Sequence, residues 1–129
     1  MSTSIGRAGD HFCAAALQRL GVQCTISQQD GYDLVAFVPT PVRVEVKTSA
    51  GLYKSNGEIY QFGTNRGSNK KLLLNSEHAD VVALVALPER AVLFKNVEDI
   101  VAMQTRIRAS EFCGDNEAKS WLQAIERLK

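Results

Sequence analysis

The hexapeptide Val42-Arg43-Val44-Glu45-Val46-Lys47 constrains this chain more than any other feature, because apolar and charged residues alternate in it without a fault. Successive side chains of a strand point to opposite faces, so the three valines share one face and Arg43, Glu45 and Lys47 share the other. A strand with one apolar face needs neighbours and a covering layer. Asp80 to Leu87, a near-continuous apolar run of strand length, reads as a central strand covered on both faces. The chain is therefore expected to build a sheet around these two segments.

The other elements follow from pattern and punctuation. Ser4 to Leu20 predicts a helix with Ile5, Ala8, Phe12, Ala16 and Leu20 on one stripe, ended by Gly21. Strands are expected at Val22–Ser27, Tyr32–Val38, Glu58–Phe62 and Ala91–Lys95, and a glycine-rich loop at Gly63–Asn69. Short helices are expected near Asn69–Ser76 and Val97–Met103, while Thr105–Arg108 fits either class. A last helix, capped by Asp115 or Asn116, carries Ala118, Trp121, Leu122, Ile125 and Leu128 on one face. This order predicts an α/β fold, a three-layer sandwich around one mixed sheet.

Composition narrows the function classes. The 129 residues suit one domain, and a hydrophobic share of 45% with 22% charged residues disfavours disorder. The longest apolar run, Val81 to Leu87, is far short of the roughly 20 residues of a membrane-spanning helix. Met1 to Asp10 lacks the apolar core of a secretory signal. Three widely spaced cysteines (Cys13, Cys24, Cys113) and two histidines argue against a disulfide framework or a structural zinc site. The expectation is a reduced, cytoplasmic protein without a membrane partner. Its net charge of +1 hides an asymmetry, with six basic and two acidic residues between Pro41 and Lys71 against a surplus of acids elsewhere. Such a segment is either a polyanion footprint or a solvated face.

The hairpin Tyr32–Val38/Val42–Lys47 offers a chemical site. With a loop of Pro39 to Pro41, Val38 stands opposite Val42, which puts Asp33 opposite Lys47 and diagonal to Glu45, on one face. A one-residue slip would scatter them. Two carboxylates with substrate phosphate and water are what Mg²⁺ takes, and an adjacent ammonium can orient the attacking water or offset charge on phosphate.

These residues resemble the signature of the PD-(D/E)xK nucleases: an acid on one strand, here Asp33, then acid-x-Lys on the next, here Glu45-Val46-Lys47. Gly6-Arg7-Ala8-Gly9-Asp10 is similar to the glycine-and-acid pattern of the family's first helix. The element order agrees from about Ile5 to Lys95 with a restriction-endonuclease-like αβββαβ core. The resemblance thus implies one domain over residues 1–129, with its core in about 5–95 and a C-terminal helical extension over 96–129. Tyr60-Gln61-Phe62 after a long insert is similar to the branch holding group I intron homing enzymes, and compact junction resolvases are also similar.

The resemblance implies a Mg²⁺-dependent DNA endonuclease, with Mn²⁺ as the substitute ion. It would put Asp33, Glu45 and the Val46 carbonyl on metal, Lys47 on the nucleophile and Asp10 in an outer supporting role. One active centre per chain then predicts a homodimer or homotetramer for cutting duplex DNA. Gln61, Arg66, Lys70, Lys71 and Lys54 are the candidates for DNA contact, and an intracellular, nucleoid-associated location would follow. Two positions depart from the pattern: Tyr32 stands where the signature often has proline, and Asp10 is one methylene shorter than the usual glutamate.

The tripeptide alone is not specific, since Glu117-Ala118-Lys119 also fits it. That copy opens a helix, where positions i and i+2 do not share a face, and no upstream strand supplies its first acid. The competing readings are a solvent-side ion-pair ladder in an α/β interaction domain and an inactive DNA-binding module on the same fold.

Overall fold

The computed structural model describes residues 4–27, 32–52, 58–66 and 72–128. Helix α1 (Ser4–Arg19) leads into β1 (Gln23–Ile26), β2 (Leu34–Phe37) and β3 (Pro41–Ser49). Next come β4 (Ile59–Gly63), β5 (Asn65–Arg66), β6 (Leu72–Leu73), β7 (Val81–Ala86), β8 (Ala91–Asn96), β9 (Gln104–Arg108) and helix α2 (Asn116–Glu126). The main sheet runs β1-β2-β3-β7-β8, with β3 and β7 parallel and its other pairs antiparallel. The expected mixed sheet is present, with the alternating hexapeptide in β3 and the apolar run in β7 at its centre.

The three layers are helices, main sheet and a two-stranded ribbon. Val42, Val44 and Val46 of β3 and Val81, Ala83 and Val85 of β7 face Cys13, Ala16 and Leu17 of α1 and Trp121 and Ala124 of α2. On the other side, Val82, Leu84 and Leu93 meet Tyr60, Phe62 and Ile107 of the β4–β9 ribbon. Both faces of β7 are thus dry, and all six of its residues are buried. Residues 96–128 are integral to both layers, since β9 pairs with β4 and α2 packs on β8.

Several expectations are corrected. Of the expected α1 stripe, Ala16 is buried and Phe12 and Leu20 pack against the core, but Ala8 is exposed and Ile5 is 46% exposed; the buried residues are Gly9, Cys13, Ala16 and Leu17. Small residues on that face let the helix lie close to the sheet. In α2 the buried residues are Trp121 and Ala124, and Leu122 faces outward. Residues 69–71 of the helix expected near Asn69–Ser76 lie outside the described residues; in its described part Leu72–Leu73 pair with Asn65–Arg66 as a strand; consecutive leucines carry no period with which to choose between classes. The segment 97–103 makes only a 3-10 turn at Val97–Asp99. The Ala102 and Met103 carbonyls, which a longer helix would engage, accept instead from the Thr64 hydroxyl (2.7 Å) and N–H (2.8 Å). The ambiguous 105–108 segment is strand, within β9.

One polar knot pins β3 to β7. Arg43 donates through Nε and Nη2 to the Asp80 carboxylate at 3.2 and 3.0 Å, and to the Ser76 and Glu77 carbonyls at 2.7 and 3.0 Å. The backbones reciprocate, Arg43 N–H to Asp80 Oδ2 (2.8 Å) and Asp80 N–H to the Arg43 carbonyl (2.9 Å). Arg43→Ala is expected to lower the unfolding free energy by about 2–3 kcal/mol, since the Asp80 carboxylate loses its charged partner and keeps only the backbone N–H, and two carbonyls lose their guanidinium donors. Urea denaturation measures this, and Arg43→Lys should recover little of it because a point charge cannot span the fork.

Main-sheet edge β8 is closed by α2. The Val92 and Phe94 N–H groups donate to Glu117 Oε2 and Ser120 Oγ, both at 3.0 Å. Asn96, buried, donates to the Ala124 carbonyl at 3.1 Å. This occupies donors that an open edge would offer to another chain. Glu117, the decoy acid, also pairs with Arg19 of α1 at 2.9 Å. No helix among the described residues is long and apolar enough to cross a membrane, and all three cysteines are free.

Candidate active site

Asp33, Glu45 and Lys47 do come together, in a register two residues away from the expected one. The ladder pairs Phe37 with Pro41 and ends at Leu34–Val44. The loop is therefore Val38 to Thr40, one position earlier than the prolines suggested. Pro41 starts the strand, a position where its missing N–H costs the ladder nothing. A shift of two keeps every side chain on its face, so the cluster survives. Asp33 then stands beside Glu45 and Val46 rather than across from Lys47.

Local hydrogen bonding fixes the Asp33 carboxylate. Its N–H donates to the Val44 carbonyl at 2.9 Å and its carbonyl accepts from the Ser27 N–H at 2.7 Å. The β2 ladder has ended here, and Asp33 Oδ2 accepts from the Val46 N–H at 2.7 Å. A side chain thus takes the place of the missing strand residue, and one carboxylate oxygen is held against the β3 backbone.

Glu45 and Lys47 project from the ribbon side of β3, because they pair with Val82 and Leu84 of β7. Lys47 Nζ lies 3.3 Å from Glu45 Oε2, with the two side chains 22% and 17% exposed. A solvent-side ladder would be far wetter. Burial, reinforced by the Asp33 charge, pushes the Glu45 carboxyl up to about 7 against the opposing pull of Lys47. Two carboxylates share a partly dry space with one ammonium, and their repulsion is left partly uncompensated.

Helix α1 brings the third carboxylate. Gly9 packs so tightly on β3 that a Cβ there would lie 1.8 Å from Thr48 Oγ1. The next residue, Asp10, is half-buried, and burial together with the Asp33 charge raises its carboxyl to about 6. Asp10 therefore senses Asp33 from the helix layer, while Glu45 senses it from the ribbon side.

These donors suit a hard divalent cation. Among the described residues no group of three or more His, Cys, Asp or Glu is gathered tightly enough to hold an ion by itself. Mg²⁺ does not need one, since it typically takes one or two carboxylates and fills its shell with water and substrate phosphate. Asp33 and Glu45 are two carboxylates of that kind, brought to one place beside the Lys47 ammonium.

The expected DNA contacts are only partly described. Gln61 sits on β4 and its Oε1 accepts from Arg106 Nε of β9 at 2.9 Å, a cross-strand pair. Arg66 lies in β5. Lys54, Lys70 and Lys71 lie outside the described residues. Arg106 and Arg108, which the sequence reading did not single out, stand opposite Gln61 and Ile59 on the same ribbon face, a placement signalled by the alternation Thr105-Arg106-Ile107-Arg108.

No family model matches the chain, and no curated protein matches it. Among solved structures, the chain is similar to a bacterial homing endonuclease, I-Ssp6803I. The TM-score is 0.65, over 80% of this chain and 75% of that one, at 17% sequence identity. At that identity the likeness is one of fold: this chain has an endonuclease-like fold, with a central mixed sheet and, among the described residues, two α-helices.

Proposed function

We propose that this chain, acting as one domain, is a Mg²⁺-dependent endodeoxyribonuclease. The observation that carries the reading is the convergence of Asp33, Glu45 and Lys47 at one sheet position within an endonuclease-like fold. Asp33 and Glu45, with the Val46 carbonyl, would hold the ion, and Mn²⁺ could replace Mg²⁺. When bound, the ion supplies Lewis-acid polarisation of the phosphodiester and lowers the pKa of bound water.

The protein groups do the rest. The Val46 N–H anchors Asp33 Oδ2, so that carboxylate is oriented before substrate arrives. The Lys47 ammonium can move from Glu45 Oε2 to a phosphate oxygen or to the attacking water as negative charge grows on the phosphoryl group. Asp10 acts from outside, through its charge on Asp33. A chain with one such centre needs a second copy to cut both strands, so a homodimer or homotetramer working on intracellular DNA is part of this reading.

The test is plasmid nicking with Mg²⁺, with and without EDTA, by wild type and Lys47→Ala. Cleavage should vanish in EDTA and fall at least about 100-fold in the variant, within the range for losing a positioned proton-transfer or charge-stabilising group. Duplex binding without any cutting would select an inactive DNA-binding module. The absence of both would leave an interaction domain.

A further inference from the structure

The outward face of the β4–β9 ribbon is a row of long polar and cationic side chains. Tyr60, Phe62 and Ile107 point into the second core, which leaves Ile59, Gln61 and Gly63 of β4 and Gln104, Arg106 and Arg108 of β9 outward. The cross-strand pairs are Ile59–Arg108, Gln61–Arg106 and Gly63–Gln104. All three β9 side chains are exposed.

The ribbon and the candidate active site emerge on the same side of the main sheet. Val82 and Leu84, which the ribbon covers, are the β7 partners of Glu45 and Lys47. A duplex presented to Glu45 and Lys47 therefore approaches from the ribbon side. The dimensions agree with groove entry. Same-face residues on a strand recur every ~6.8 Å, close to two base-pair steps of ~3.4 Å each, and a two-stranded ribbon fits the major groove, about 12 Å wide. Arginine suits the O6/N7 edge of guanine, and glutamine the N6/N7 edge of adenine. Gly63, without a side chain, leaves its backbone open to close approach.

Building on the nuclease reading, we infer that the Gln61–Arg106–Arg108–Gln104 face is the surface that seats in the DNA major groove and sets sequence preference. This places recognition on a rigid ribbon anchored in the core. The cations come from β9, a strand outside the basic segment of the sequence.

Duplex binding measured in EDTA across KCl concentrations, with a random-sequence DNA as probe, tests the electrostatic part. Arg106→Ala/Arg108→Ala should bind at least about tenfold more weakly, and its salt slope should be shallower by about 0.9 for each phosphate that the protein no longer neutralises. Arg127→Ala, which removes a cation from the end of α2 on the opposite layer, should keep the wild-type slope. Because both ribbon arginines are exposed, unchanged melting would show that the weaker binding is not unfolding. The charge-conserving Arg106→Lys/Arg108→Lys tests reading: in selection from a random duplex pool it should enrich a flatter motif than wild type. Wild-type affinity and slope in the alanine variant, or a wild-type motif in the lysine variant, would overturn the inference. In either case wild-type nicking with Mg²⁺ would leave the nuclease reading standing, whereas a wild type that neither binds nor nicks duplex removes both.

Discussion

Glu45→Gln is expected to abolish Mg²⁺-dependent cleavage and, in the same molecule, to raise the stability of the metal-free protein at pH 8. The two effects share one cause. Glu45 is held in a covered site beside Asp33, and its carboxyl is raised from the ordinary 4.5 to about 7. A group whose folded pKa lies above its unfolded value favours folding while it is protonated. That contribution is complete below the unfolded value of 4.5 and is lost as the pH rises through 7. Full conversion of the shift would give more than 3 kcal/mol; coupling to Asp33 and partial exposure reduce this to about 2 kcal/mol of destabilisation at pH 8.

Glutamine keeps the shape and removes the charge, so the unfolding free energies of wild type and variant from urea titration should converge near pH 4 and separate by about 2 kcal/mol at pH 8, the variant being more stable. Addition of Mg²⁺ should stabilise wild type and not the variant. On the proposed reading, cleavage should fall about 10³-fold or more, since a carboxylate that would hold the ion is removed and with it several kcal/mol of transition-state stabilisation. A variant that cuts DNA normally would remove Glu45 from the chemistry; equal stability at pH 8 would show that its charge is well compensated in the fold.

Gly9→Ala should destabilise the protein by about 3 kcal/mol although it replaces glycine in a helix, where alanine ordinarily gains about 1 kcal/mol. Packing decides the sign. The added Cβ would meet Thr48 Oγ1 at 1.8 Å, Cβ at 2.9 Å and Cγ2 at 3.1 Å, and the first of these is far inside contact distance. Helix α1 must lift from β3, carrying Asp10 away from Asp33. A fall in Tm of roughly 10 °C is expected for a domain of this size, together with weaker cleavage. The double variant Gly9→Ala/Thr48→Ala removes Oγ1 and Cγ2 and leaves the 2.9 Å approach, so it should regain part of the stability. A single variant as stable as wild type would mean that the helix has room to move, and that Asp10 is not held in place by this packing.

These predictions rest on interactions of very different visibility in the sequence. The three acids, the lysine and Gly9 could be singled out because each sits in a local pattern: a helix with a glycine before an acid, a strand broken by prolines, a strand of alternating charge. Which atoms they touch is another matter. Asp33 was expected across from Lys47, yet its oxygen is bound to the Val46 N–H, because the turn begins at Val38 instead of Pro39. Arg43, one of three charges on its strand face, belongs to Asp80, 37 positions away. Thr48, which sets the closeness of α1, showed no signal at all.

The sequence by itself determined the periodicities: α1, the charged and valine faces of β3, the doubly buried β7, and hence a mixed sheet with two carboxylates and an ammonium on neighbouring strands. Period is a property of adjacent residues, so it is written locally. Only the tertiary structure decided the hairpin register, the pairing of β9 with the far earlier β4, the edge of β8 closed by α2, and the seat of Gly9 on Thr48. Each is a choice among partners distant in the chain, settled by which pairing buries the most apolar surface while leaving fewest backbone groups unsatisfied, and no local pattern encodes that comparison.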